Sequence, residues 1–261
     1  MSLPQIAVPE DTIKLLSQKQ PIRYRPYLVG EEKIMLMAQA AHEQNPDGKD
    51  IEKAVKQIIK RCTFDGLNPD TLPSFDTEYL FLQLRAHSVS NIIESQFRCK
   101  KKITVERADV PEVTTADVPE VTTKECNTFV SVNINIDDIK LIVPEGHTNK
   151  VMLSSDIGVV LKYPSSDTHD EILKNPNDLT GALMSCIEAI YTAGGDYYEA
   201  KDQTKDELQT FVDRLSLTNI LKVKESFFDS MPRLEYKFEF KCPKCGYTEE
   251  VTLRGLTDFF D

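Results

Sequence analysis

Near its C-terminus the chain reads Lys241-Cys242-Pro243-Lys244-Cys245-Gly246-Tyr247, a Cys-x-x-Cys turn between two segments that alternate like β-strands. Pro243 fixes the first turn position and Gly246 can adopt a positive φ angle, so both sulfurs can point at one small, soft cation. Two thiolates held in this way form half of a tetrahedral metal site. The stretch therefore predicts a β-hairpin that carries two metal ligands.

Two more cysteines, Cys99 and Cys126, lie well upstream beside other predicted strands. If they complete the site, Cys99, Cys126, Cys242 and Cys245 bind one structural zinc ion in a distorted four-cysteine ribbon. A turn with free thiols and a redox pair are the alternatives. A thioredoxin-like redox pair would follow a strand and open a helix, whereas this pair lies between strands.

The composition predicts a soluble, unsecreted globular protein. The 261 residues are 40% apolar, which is enough to bury a core, and the sequence has no apolar run long enough to span a membrane. Pro4 and Pro9 interrupt the segment where a signal peptide would be continuous and apolar. Six cysteines are too few for a disulfide scaffold, and Cys62 and Cys186 fall on apolar helical faces as expected for buried thiols.

The net charge of −11 argues against sequence-independent binding to nucleic acid, because phosphate contacts need clustered cations. Short basic clusters occur at Arg98, Lys100, Lys101 and Lys102 and at Lys222 and Lys224. Lysine and arginine on an exposed strand or helix need no ligand, so both clusters are predicted to be solvated surface.

The order of patterns along the chain predicts an α+β fold in which antiparallel strands lie beside two helical groups. Its four predicted regions are an N-terminal helical region (1–89), a central β region (90–163), a C-terminal helical region (164–232), and a C-terminal β-hairpin and tail (233–261). The last region is predicted to pack on the central one. Within the central region, residues 108–115 repeat letter for letter at 116–123, which indicates a duplicated surface loop.

Three helices carry the clearest expectations. The first, beginning at Glu31, has Ile34, Leu36, Met37 and Ala40 as an apolar stripe that is expected to face the core. A helix over residues 77–86 is so rich in apolar residues that it should be mostly buried. A helix over residues 179–191 is expected to stop at Gly194-Gly195.

The sequence contains no enzyme signature. A nucleophile elbow, a phosphate-binding glycine loop and a His-Glu-x-x-His motif are all missing, and the four histidines stand far apart. The prediction is a protein without catalytic activity and without a cofactor-binding pocket. The closing segment, with Phe259 and Phe260, should either fold back onto the core or dock on a partner.

Several stretches together resemble the baseplate hub subunit family of T-even-type myophages, over nearly the whole chain. The stretches are Tyr24-Arg25-Pro26-Tyr27-Leu28-Val29 with Glu31-Glu32-Lys33, Leu72-Pro73-Ser74-Phe75-Asp76-Thr77-Glu78-Tyr79-Leu80-Phe81-Leu82, Ser185-Cys186-Ile187-Glu188 with Ile190-Tyr191, Met231-Pro232 and Gly255-Leu256-Thr257-Asp258-Phe259-Phe260. These are family-specific patterns and not catalytic motifs. The family offers no catalytic residue to transfer to this chain.

The resemblance implies a phage protein for the central hub of a contractile-tail baseplate, acting as a hub component or as a chaperone of tail assembly. Its implied partners are other baseplate hub proteins and the tape-measure protein, with no membrane and no nucleic acid, and an oligomer fits the role. Its implied location is the host cytoplasm during assembly and then the virion tail baseplate. The alternative from the residues alone is a zinc-ribbon regulator that binds nucleic acid, which requires a basic face around the ribbon.

Overall fold

A computed structural model describes residues 6–45, 49–106, 121–175 and 178–260. The described residues form a mixture of helices and antiparallel strands, so the α+β prediction is confirmed. The chain divides into two compact units: a larger unit from Met1–Ser90 and Leu141–Leu234, and a smaller unit from Asn91–Lys140 and Glu235–Asp261. No helix in the described ranges has the length and apolar character needed to cross a bilayer.

The first half of the larger unit is mainly helical. Its elements are β1 (Asp11–Ile13), β2 (Ile22–Tyr24), α1 (Val29–Gln44), α2 (Lys49–Cys62) and α3 (Ser74–Ser88). The strands β1 and β2 pair antiparallel, with Asp11 opposite Tyr24. The segment after β1 is attached to α3, because the buried Asp76 carboxylate accepts hydrogen bonds from the backbone N–H groups of Leu16 (3.0 Å) and Ser17 (2.8 Å). The prediction of a mostly buried third helix is confirmed, since Leu80, Leu82 and Leu84 are almost fully buried.

Helix α1 differs from expectation. Ala38 and Glu31 are buried, but Leu36 is 55% exposed and Met37 is 73% exposed. The expected stripe therefore does not face the core of the described structure, and the prediction for Leu36 and Met37 is wrong. The reason is that α1 is apolar on two sides, so its pattern cannot tell which side packs against α2.

The second half of the larger unit is a sheet covered by helices. Its strands lie in the order β11-β10-β9-β8, all antiparallel. The elements are β7 (Lys140–Ile142), which begins at the unit boundary, β8 (Lys150–Met152), β9 (Ile157–Leu161), α4 (Ser166–Lys174), α5 (Leu179–Cys186), β10 (Ile187–Thr192), β11 (Tyr197–Glu199), α6 (Lys205–Asp213), α7 (Leu217–Val223) and a π-helical turn (Lys224–Phe228).

The predicted helix over 179–191 is wrong in its second part. Helix α5 ends at Cys186, and β10 begins at Ile187 and pairs with β9. In this ladder Tyr191 lies opposite Gly158, where a Cβ atom would come within 2.3 Å of the Tyr191 ring. Gly195, with φ of 98°, turns the chain between β10 and β11 and does not end a helix.

The smaller unit is built from three antiparallel hairpin ladders. Its elements are β3 (Ile92–Arg98), β4 (Lys102–Glu106), β5 (Val121–Glu125), β6 (Phe129–Asn135), β12 (Arg233–Lys241, shared with the larger unit at its first two residues), β13 (Thr248–Arg254) and α8 (Gly255–Phe260). The strands pair as β3 with β6, β4 with β5, and β12 with β13. Most of the duplicated octapeptide lies outside the described residues, and its last three residues, 121–123, belong to β5.

The C-terminal segment folds back within the smaller unit. Phe259 is fully buried, and its carbonyl oxygen accepts a hydrogen bond of 3.1 Å from the hydroxyl of the buried Ser95 on β3. Of the two alternatives for this segment, folding back is the one that Phe259 follows.

Candidate metal centre

The turn between β12 and β13 has the geometry expected from its sequence. The backbone N–H of Cys242 donates to the Tyr247 carbonyl (2.8 Å), and the N–H of Gly246 donates back to the Cys242 carbonyl (3.0 Å). Gly246 has φ of 69°, a left-handed conformation that glycine adopts without a Cβ penalty. The turn therefore holds Cys242 and Cys245 on one tight loop.

Cys99 and Cys126 lie where the β3–β6 ladder gives way to the β4–β5 ladder. The N–H of Cys99 donates to the Thr128 carbonyl (2.9 Å), and the N–H of Cys126 donates to the Lys101 carbonyl (2.8 Å). Asn127, directly after Cys126, has φ of 53°, a conformation that asparagine tolerates better than most residues. The second hairpin thus presents one sulfur from the link between β3 and β4 and one from the link between β5 and β6.

All four cysteines predicted as ligands come together in the smaller unit. Their sulfur atoms all lie within 4.8 Å of one another, with 3.7 Å from Cys99 to Cys245 and 3.8 Å from Cys126 to Cys242. Cys99, Cys126 and Cys242 are buried, and Cys245 is half-buried. A disulfide requires about 2.05 Å between sulfurs, so these are four separate thiols.

Backbone donors point at these sulfurs. Hydrogen bonds reach Cys99 from the N–H of Lys101, Cys242 from the N–H groups of Lys244 and Cys245, and Cys245 from the N–H of Tyr247. At Cys242 the backbone N–H groups, chiefly that of Cys245, lower the pKa of the thiol to about 6. At Cys99 burial raises the pKa of the thiol to about 12. A divalent cation among the sulfurs would stabilise all four as thiolates.

The side chains around the sulfurs are apolar inside and basic outside. Phe240 is buried with the cysteines, and the Phe97 and Phe238 rings pack beside it with centroids 5.1 Å apart. The Lys101 ammonium lies 5.1 Å from the centre of the Tyr247 ring. Lys100, Lys101 and Lys102 are exposed, as predicted for the first basic cluster.

One residue beside the cluster was not found from the sequence. The Thr128 hydroxyl lies 3.2 Å from the Cys126 sulfur, close enough to donate to a thiolate there. Its only sequence signal is a position two residues after a cysteine, which is too common to be informative. The Cys62 and Cys186 thiols lie apart from the cluster, in the larger unit, and burial raises the pKa of each to about 11.

Among the histidines, His147 of the larger unit has several described side-chain contacts. Its Nδ1 lies 3.0 Å from the Ser230 hydroxyl, its Nε2 lies 2.8 Å from the Tyr163 hydroxyl, and its ring stacks on Phe227. Burial lowers the pKa of His147, which favours the neutral ring. These contacts place His147 in the packing of the larger unit.

Residues 8–261 match the model of the family described as T4 bacteriophage base plate protein. This chain belongs to that family. Among curated proteins it is similar to the baseplate hub assembly protein gp26 of Enterobacteria phage T4, with 24% identity over 212 residues, which cover 81% of this chain and 82% of the relative. No solved structure gives a significant match.

The family match confirms the resemblance seen in the sequence and assigns the chain a structural or assembly role in the phage baseplate. Such a role implies contact with other baseplate or tail proteins and a place in the tail baseplate.

Proposed function

We propose that this baseplate-family protein acts at the central hub of the contractile tail through contacts with other hub and tail proteins. The match of residues 8–261 to the baseplate family carries the proposal. The similarity to a protein named for baseplate hub assembly supports the hub as the place of action. The chain then serves as a hub component or as a chaperone of the hub and tape-measure proteins, in the host cytoplasm during assembly.

An exposed apolar face on α1 supports a role in protein contacts. Val29, Leu36 and Met37 are 73%, 55% and 73% exposed and lie on one side of the helix, opposite the buried Ala38. A helix that is apolar on both sides is normally buried on both sides. We therefore infer that another baseplate protein, with an apolar surface of its own, covers this face during assembly.

A role without catalysis fits the described side chains. Three of the four clustered cysteines are buried, and His147 is packed among aromatic rings. The proposal therefore assigns the chain binding surfaces and no reaction.

Capture of tail proteins tests the hub proposal. The tagged chain is co-expressed with the neighbouring tail proteins of its phage, and the complexes are purified and identified. We expect at least one baseplate hub protein to co-purify in a fixed ratio. If the folded chain captures no tail protein under these conditions, the proposal fails.

The α1 face is tested by a matched pair of variants. Met37→Glu places a charge within the apolar face, and Gln39→Glu adds the same charge at a nearby exposed position outside it. Because burial of a methionine side chain contributes about 1.5–3 kcal/mol, Met37→Glu should weaken capture at least about tenfold. Gln39→Glu should leave capture unchanged, and equal capture by both variants would exclude α1 as the contact.

A nucleic-acid regulator is the second candidate, because exposed lysines surround the cysteine cluster. Lys100, Lys101 and Lys102 lie at one hairpin, and Lys241 and Lys244 lie at the other. Binding through phosphate contacts loses affinity steeply as salt rises, whereas apolar docking does not. Tight DNA binding that falls by orders of magnitude between about 50 and 200 mM salt would favour this candidate over the hub proposal.

A further inference from the structure

We propose that Cys99, Cys126, Cys242 and Cys245 bind one zinc ion, and that this ion is a structural part of the smaller unit. The site is independent of the hub proposal, because it rests only on the positions of four side chains. It joins two hairpins that are distant in sequence: Cys99 and Cys126 come from the links between the central strands, and Cys242 and Cys245 from the C-terminal turn.

The spacing of the sulfurs fits a tetrahedron around zinc. With a zinc–sulfur bond of about 2.3 Å, neighbouring sulfurs in a regular tetrahedron lie about 3.8 Å apart. The two printed contacts, 3.7 Å and 3.8 Å, have this length, and all other sulfur pairs are within 4.8 Å. Only small movements of the side chains are therefore needed to complete the coordination.

The ligand set selects the kind of ion. Four thiolates are soft ligands, which favour zinc or iron over magnesium and calcium, since those ions take oxygen ligands. A multi-iron cluster needs several iron and sulfide ions between the cysteines, and the short sulfur–sulfur distances leave room for one ion. Four protein ligands also leave no open position for water or substrate, so the site is structural and not catalytic.

The surroundings are suited to the charge of such a centre. Zinc with four thiolates carries a net charge of −2, and backbone N–H groups of Lys101, Lys244 and Tyr247 already point at the sulfurs. Hydrogen bonds of this kind orient the ligands and stabilise the thiolates. The exposed lysines around the site lower its electrostatic cost further, which explains a basic surface on an acidic protein.

The region around the sulfurs has little fully buried apolar material of its own, which gives the ion a structural role there. Its buried cluster around the sulfurs consists of Cys99, Cys126, Cys242 and a single large apolar residue, Phe240. Small domains with a limited apolar core commonly depend on disulfides or a metal for stability. These four thiols are not bonded to one another, so a shared metal would link the two hairpins in addition to the packing of the Phe97 and Phe238 rings.

Metal content of the full-length protein is the direct test. The protein is purified without chelators, and its metals are measured by mass spectrometry and by zinc release after the thiols are blocked. We expect one zinc per chain. Substoichiometric metal that is not restored by added zinc overturns the proposal, and one iron per chain overturns the assignment to zinc.

Variants identify the ligands. Cys242→Ser should lower zinc content at least tenfold, whereas Cys186→Ala removes a buried thiol outside the cluster and should keep one zinc. Full zinc occupancy in Cys242→Ser would overturn the ligand set.

Because Cys242→Ser is liable to misfold, the wild-type protein supplies a second measurement. Replacement of zinc by Co²⁺ should give the intense visible bands of a tetrahedral tetrathiolate site. A weak octahedral spectrum would contradict the proposed coordination even if zinc is present.

Discussion

The two units differ in the side chains that they bury. The larger unit packs β8, β9 and β10 against helices through aliphatic and aromatic side chains: Val151, Leu153, Val159, Leu161, Leu183, Ile187, Val212, Ile220, Val223 and Phe227, together with Cys186. In the smaller unit the two cysteine-bearing hairpins meet around four sulfur atoms and Phe240. The same unit also buries six apolar side chains away from the sulfurs: Ile93, Ile134, Ile136, Ile139, Leu253 and Phe259. The core of the larger unit is made of many contacts of similar size, whereas the junction of the two cysteine-bearing hairpins depends on a few atoms that must meet at one point.

This difference predicts different responses to damage. Removing one side chain from a distributed core costs a few kcal/mol and leaves the remaining contacts in place. Removing the ion from a metal-centred core removes binding energy that is also folding energy, and leaves thiols that repel one another when ionised. The larger unit should therefore lose stability gradually, whereas removal of the proposed zinc should release the two cysteine-bearing hairpins of the smaller unit together.

Chelation should have the largest effect and should act on one unit only. Zinc binding contributes about 10–16 kcal/mol in small metal-dependent domains, so a strong chelator should unfold the hairpins of the smaller unit. Hydrogen exchange should then become fast in β12 and β13 and remain slow in β9 and β10. Equally slow hydrogen exchange in both units after complete metal removal would show that the smaller unit does not depend on a metal.

Phe227→Ala tests the distributed core. Phe227 is fully buried and packs against His147, Tyr163 and Phe228, so its truncation should cost about 3–5 kcal/mol. Chemical unfolding followed in the larger unit measures this loss, while zinc content should stay at the wild-type value. Phe129→Ala is the control: Phe129 is 64% exposed, so the change should stay within about 0.5 kcal/mol. A loss of zinc in Phe227→Ala would show that the two cores are not independent.

The cysteine cluster could be predicted from the sequence because its signals are local. A Cys-x-x-Cys turn with proline and glycine specifies its own geometry, and only two other cysteines lie beside predicted strands. Their meeting in one unit depends on hairpin pairing, which the alternation of Val130, Val132 and Ile134 also indicates.

Two features of the larger unit could not be predicted in the same way, because they depend on long-range partners. Ile187 and Ile190 fit a helical spacing, but pairing with β9 makes them part of a strand. The apolar residues of α1 fit a core-facing stripe, yet the described structure offers a partner to only one side of that helix. Local periodicity shows neither the pairing of β10 with β9 nor the side on which α1 packs.

Glu31 sharpens the comparison, since it is, like Asp76, a buried acidic residue in the unit whose core is mainly apolar. Burial alone would raise the pKa of Glu31, but hydrogen bonds from Arg25 (3.3 Å) and the Leu28 N–H (2.9 Å), with Arg61 nearby, lower it below its ordinary value. Its stabilising effect is therefore complete above the unfolded-state pKa of about 4.3 and is lost as the pH falls through the lower folded-state pKa.

The Glu31→Gln variant should cost about 1–3 kcal/mol at pH 7, because it removes a charged hydrogen-bond acceptor from Arg25. Unfolding curves between pH 7 and pH 3 should show the difference between the two proteins shrinking on acidification. A difference that is constant with pH would mean that the carboxylate charge does not contribute. Glu43→Gln, on the exposed end of α1, should show no such effect.

Alanine substitutions at two glycines, one in each unit, should give the smallest effects. One substitution should destabilise and the other should stabilise, because the two glycines differ in backbone conformation. Gly246 and Gly30 both have open space around the position of a Cβ atom, so only backbone conformation separates them. Gly246 has φ of 69°, where an alanine costs about 1–2 kcal/mol, and the strain would fall on the turn that carries Cys242 and Cys245. Gly30 lies in helix α1, where an alanine should stabilise by about 0.5 kcal/mol.

Gly246→Ala should therefore weaken zinc affinity about tenfold, as measured by competition with a chelator. Gly30→Ala should raise the stability of the larger unit and leave zinc affinity unchanged. Equal zinc affinity in both variants would mean that the turn geometry does not control the metal, and that the smaller unit is stabilised in a more distributed way than its sulfur core indicates.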